Sequence, residues 1–98
     1  MTSINPAERL AFCEAQIDFN NSKLGFLENQ MDSAMSQKSG DALADEPINV
    51  FIASLRGQMQ SARQALGFWK GEVQHWRQEL NDLKKQVNDS NSLGSTGG

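Results

Sequence analysis

The side chains able to do chemistry in this chain are few, and their spacing keeps them apart. His75 is the only histidine and Cys13 the only cysteine. A zinc site takes three or four nitrogen and sulfur ligands, so one subunit does not supply a set, and only ligands shared between symmetry-related copies would complete one. No serine, cysteine or acid stands at a spacing from His75 that suggests a triad. Cys13 falls where a small apolar residue would pack. Glu72 and Glu79 lie one heptad apart, the spacing of a solvated helix flank. Gly67 and Gly71 form G-x-x-x-G inside a helical pattern, without a phosphate-cradling loop and without the membrane context that gives this spacing meaning. The residues point away from an enzyme, a metal and a cofactor.

What remains is basic and aromatic. Arg56, Arg63, Lys70, Arg77 and Lys84 recur every seven residues, about 10 Å apart on a helix, and such a row could follow a nucleic-acid backbone. A net charge of −3 argues against nucleic acid as a partner, and Glu14 and Glu28 are placed to neutralise part of the row. Phe12, Phe19 and Phe26 also recur every seven residues. With Arg9, Lys23, His75 or Arg77 beside them, rings in such a row could stack on bases while the cations reach phosphates, which would make a nucleotide site. More simply, the rings are packing surface.

Two long helices must position these groups. Ile48, Ile52, Leu55, Met59, Ala62, Leu66, Trp69, Val73, Trp76, Leu80, Leu83 and Val87 follow one another in steps of three and four. That alternation averages 3.5 residues and is the heptad seam of a coiled coil. Leu10, Cys13, Ile17, Asn20, Leu24, Leu27, Met31 and Ala34 repeat it earlier in the chain. Asn20 is the one polar residue in that seam, read either as a register-fixing device or as a solvated notch. Asn5-Pro6-Ala7-Glu8 reads as a capped helix start and Gly40 as a stop. The expected helices span about 6–38 and 47–88, joined by the polar connector 39–46, in one domain covering 1–87. Residues 88–98 (NDSNSLGSTGG) have no apolar periodicity and are expected to form a disordered tail.

The flanking charges choose the orientation. With Leu10 and Ile52 at heptad position a, position e of the second helix is basic throughout, while position e of the first includes Glu14 and Glu28. Position g gives Arg9 and Lys23 in the first helix and Glu72 and Glu79 in the second. Antiparallel helices set e against e and g against g, so opposite charges meet on both flanks. The register that follows opposes Leu10 to Trp76, Cys13 to Val73, Ile17 to Trp69, Asn20 to Leu66, Leu24 to Ala62, Leu27 to Met59 and Met31 to Leu55. Leu80, Leu83 and Val87 are left beyond the start of the first helix. Phe12, Phe19, Phe26 and Phe68 take position c and Phe51 position g, which gathers all five on one side of the hairpin, with His75 towards it.

In length, in helical-hairpin form and in lacking a cleavable signal, the chain resembles a family of small secreted proteins named for a Trp-x-Gly motif, and it contains Trp69-Lys70-Gly71. In that family the motif lies in the turn between the helices, whereas here it falls within the second helix. The family's tyrosine-centred export motif has no counterpart, because the chain has no tyrosine. The resemblance is one of shape, and no function is carried over from it.

The expectation is an all-α, antiparallel two-helix coiled-coil hairpin that assembles into a four-helix or larger bundle. Phe12, Phe19, Phe26, Phe51, Phe68, Leu80, Leu83 and Val87 form the interface. The lone cysteine suits a reducing compartment, and the absence of a secretory signal or an 18-residue apolar run suits a cytoplasmic protein away from membranes. The function expected is a non-enzymatic protein–protein interaction or assembly module acting as a homo-oligomer, such as a phage or bacterial accessory protein. The alternative is a nucleotide-sequestering protein or host-factor inhibitor with sites between subunits.

Overall fold

A computed structural model describes residues 5–96, with side chains described through residue 88. The chain is an antiparallel pair of helices, α1 (Pro6–Ser36) and α2 (Glu46–Thr96). The Asn5 Oδ1 accepts from the Ala7 backbone N–H at 2.9 Å and caps α1, with Pro6 at its first position. Asn5 thus satisfies one of the donors that a helix start leaves without a partner.

Gly40 is not the helix stop. The α1 helix ends at Ser36, and the Gln37 and Lys38 N–H groups close back on the carbonyls of Ala34 at 3.2 Å and Met35 at 3.3 Å. Gly40 lies three residues further on, in the connector, with φ at +92°, a backbone state that favours glycine. Its N–H donates to Asp45 Oδ2 at 2.9 Å, while Asp45 Oδ1 accepts from the Ser39 N–H at 2.8 Å and the Ser39 hydroxyl at 2.9 Å. The Asp45 carbonyl then accepts from the Asn49 N–H at 2.8 Å, starting α2. One buried aspartate therefore ties the connector and opens the second helix. These donors, the Ser39 backbone N–H foremost, favour the charged carboxylate and lower its pKa.

The seam packs in the expected register, and its two kinds of layer differ. Cys13, Asn20, Leu27 and Ala34 are buried, as are Val73, Leu66, Met59 and Ile52 across from them. In the alternate layers Leu10, Ile17, Leu24 and Met31 are only half-buried, as are Trp69 and Trp76, whereas Ala62 and Leu55 towards the connector are buried. Leu27, Leu55 and Met59 form the central cluster, with Leu24 and Met31 packed against it. Each fully buried aliphatic chain there contributes about 1.5–3 kcal/mol. Arg77 pairs with Glu14 at 3.8 Å, joining the two e flanks as antiparallel packing requires. It is the one ion pair among the described residues and, being exposed, contributes at most about 1 kcal/mol.

Asn20 does not pair across the seam. Its Nδ2 donates to the Gln16 carbonyl of its own helix at 2.8 Å. The residue is buried and its amide nitrogen is satisfied within its own helix, with no side-chain hydrogen bond to α2 among the described residues.

The α2 helix also runs further than its residues suggest. The stretch from Asn88 is helical as far as Thr96, in place of the expected disordered tail; residues 97 and 98 lie outside the described residues. Extending an existing helix adds one hydrogen bond per residue fixed and avoids the unfavourable nucleus, so poor helix formers can prolong it. No helix among the described residues is long and apolar enough to cross a membrane.

Candidate interaction surface

The aromatic face begins at the half-buried layers. Trp69, a seam residue, makes T-shaped contacts with two phenylalanines. Phe12 of α1 lies 5.6 Å from it between centroids, at 77°, and Phe68 of α2 lies 4.9 Å away, at 75°. These edge-to-face contacts fit the ring quadrupoles and place Phe12 and Phe68 on one side of the hairpin. Phe19 and Phe26 follow Phe12 on the same helical row and are 64% and 62% exposed; Phe51, Phe12 and Phe68 are also exposed. The α1 helix therefore carries apolar groups on two sides, the seam on one and the phenylalanine row on the other. A helix with one partner buries only one such side.

The expected cations divide. The Arg9 guanidinium lies over the Phe12 ring, 5.2 Å from its centroid, which covers part of the aromatic row with a charge. Arg77 is on the other flank, paired with Glu14. Lys23 is exposed. His75 is exposed and packs edge-on to Trp76 at 4.8 Å. Trp76 in turn donates its Nε1–H to Glu72 at 3.2 Å. Arg9 and His75 thus belong with the aromatic side, while Arg77 is already engaged elsewhere. Among the described residues no three histidine, cysteine, aspartate or glutamate side chains gather as a metal would need.

At the connector end, Gln30, Ala34, Gln37, Pro47, Ile48 and Phe51 border an open groove of about 280 Å³. Beside the seam, Met31, Arg56, Met59 and Arg63 border another of about 430 Å³. Sites for drug-sized ligands are clefts of roughly 300–1,000 Å³ that bury most of their ligand; these are shallow troughs along a two-helix layer.

Comparison with family models, curated proteins and solved structures gives no match. Trp69-Lys70-Gly71 lies well inside α2 and not in the turn. The chemistry of the surface must be read from its own residues. The sequence pattern locates the phenylalanine row but not the stacking on Trp69, which joins row and seam into one continuous aromatic layer. The hint is present in the heptad itself: Trp69 at position d neighbours position g, on the phenylalanine side.

Proposed function

We propose that this chain is a non-enzymatic interaction module that acts as a homo-oligomer, packing its phenylalanine face against a second copy to form a four-helix or larger bundle. The observation that carries this reading is the exposure of all five phenylalanines on a hairpin whose described residues form only shallow troughs. A contiguous apolar face of this kind is the usual mark of an association surface, and a two-helix layer covers only one side of each helix. Assembly supplies the missing layer. A reducing, cytoplasmic setting goes with this reading and is supported by the single cysteine, buried in the seam. Light scattering tests it: the mass at micromolar concentration should be a multiple of the 10.8 kDa chain. A monomeric mass refutes it.

The Arg9 guanidinium over Phe12 favours a second reading, a nucleotide held between subunits with its base on the aromatic face. A thermal-shift series with nucleotides separates the two, because a ligand present at a hundred times its Kd stabilises by about 2.7 kcal/mol. An unmoved melting temperature across the series removes the nucleotide.

A further inference from the structure

Four of the exposed phenylalanines are arranged about a centre. Phe12 and Phe26 stand seven residues to either side of Phe19 on α1. The hairpin's register sets Ile17 opposite Trp69 and Asn20 opposite Leu66, so Phe68 of α2 is level with position 18, one residue from Phe19. These four residues are 46–64% exposed on one side of the hairpin. Phe51 stands apart at the connector end, beside Pro47 and Ile48.

A surface that packs on its own copy about a two-fold axis must be self-complementary under that rotation. Two rotations lay one hairpin face on another. An axis along the hairpin keeps every level and sets α1 on the partner's α2. An axis across the hairpin, in the plane between the two layers, reverses the levels and sets α1 on the partner's α1. Kept levels give Phe19 the partner's Phe68, but they set Phe12 on the partner's His75 and Phe26 on the partner's Ser61. Reversal at the level of Phe19 sets Phe19 on the partner's Phe19 and Phe68 on the partner's Phe68. Phe12 then meets the partner's Phe26, and Phe26 the partner's Phe12. Every ring of the four gains an aromatic partner, which adds to the burial of its area.

The charges beside the rings make the same choice. Lys23 and Glu72 are both at position g, on the inner part of this face. Lys23 lies four residues past the level of Phe19, and Glu72, level with position 14, lies five before it. Reversal therefore brings each Lys23 to the level of the partner's Glu72. Kept levels would put Lys23 level with the partner's Lys23, and Glu72 level with the partner's Glu72. The area is also of the right order. An aromatic side chain buries roughly 200 Å², so at these exposures the four rings offer roughly 450 Å² per copy. That is more than half of the roughly 800 Å² per partner of a standard interface, and the exposed Ala15 and Ser22 beside the row leave room for close approach.

We propose that the second copy on the phenylalanine face is reversed, related by a two-fold axis that crosses the hairpin at the level of Phe19. The two connectors then stand at opposite ends of the assembly.

This inference rests on the self-association proposed above, and one experiment separates the two. Leu43 is 82% exposed in the connector, far from the proposed axis, while Cys13 is fully buried. A nitroxide label on Leu43→Cys reports where the connectors lie, by double electron–electron resonance, with the wild-type chain treated alike as background. Leu43 lies 24 residues past Phe19, so reversed copies should hold two labels roughly 65 Å apart. Copies about an axis along the hairpin would hold them within roughly 30 Å. An oligomeric mass without the long distance overturns the reversed arrangement and leaves self-association standing. A monomeric mass overturns both.

Discussion

Replacing Phe19 and Phe26 together by serine should separate assembly from folding. Burying a phenylalanine side chain completely contributes about 1.5–3 kcal/mol. Phe19 and Phe26 are 64% and 62% exposed in the hairpin, so roughly a third of that contribution is realised within the chain, about 0.5–1 kcal/mol for each residue. The remaining two thirds, about 1–2 kcal/mol per side chain, is available only to an interface. Two side chains on each of two subunits bring the interfacial share to about 4–8 kcal/mol before the cost of association is subtracted. Even a quarter of it changes Kd by about five- to thirtyfold. Sedimentation equilibrium should therefore show the double variant dissociating at concentrations where the wild type is assembled. Its far-ultraviolet circular dichroism should remain that of a helical protein. An unchanged association constant refutes the assignment of this face to assembly. Wholesale loss of helix refutes the energetic split, since it would make both rings part of the monomer's core.

Three further outcomes follow from the structure. The Asp45 carboxylate has a folded pKa below its ordinary value of 3.8, so the stability it contributes is complete above that value and is lost as pH falls through the lower, folded one. Asp45→Asn should melt at a lower temperature at neutral pH and lose less on acidification than the wild type; parallel pH–melting curves would contradict the clamp. Gly57, Gly67 and Gly71 meet open space where a Cβ would stand, so changing all three to alanine should add about 2–3 kcal/mol in urea unfolding, and a loss of stability or of assembly would show a neighbour packed against them. Asn20→Leu removes only a bond to its own helix and should raise stability by about 1 kcal/mol with the assembly mass unchanged; a new mass would show that Asn20 sets the number of copies.

Much of the fold is legible in the residues because a coiled-coil seam is a one-dimensional signal. Ile52, Leu55, Met59, Ala62, Leu66 and Val73 announce their burial by spacing alone, and the antiparallel choice appears in the opposite signs of Glu14 and Arg77. The Asn5 cap is equally local. Asp45 is different. Its identity as an acid before a helix is readable, but its grip on Ser39 and Gly40 depends on how a short connector folds back, which no periodicity encodes. The end of α2 escapes the sequence for a related reason: residue propensities at 88–96 describe an isolated segment, not one that continues a helix already formed. At the candidate surface the phenylalanine row is legible from its seven-residue repeat, while the division of cations is not. Arg9 and Arg77 look alike in the sequence and differ only in whether Phe12 or Glu14 lies beside them.

The clamp at Asp45 also gives the hairpin a direction in time. Layers next to the connector, such as Ala34 with Ile52, close a short loop, whereas Cys13 and Val73 joining first would close a much longer one. Loop-closure entropy makes the distant closure about 1 kcal/mol harder if it is attempted alone. Once the near layers are set, each further layer closes only a small increment of chain. Folding therefore advances from the clamped end towards the open one, with local contacts leading. The open end is the last to form and the first to fray, and the projecting segment of α2 hangs from it. A reversed second copy would lay its clamped connector beside that segment, setting the firmest end of one molecule against the loosest end of the other.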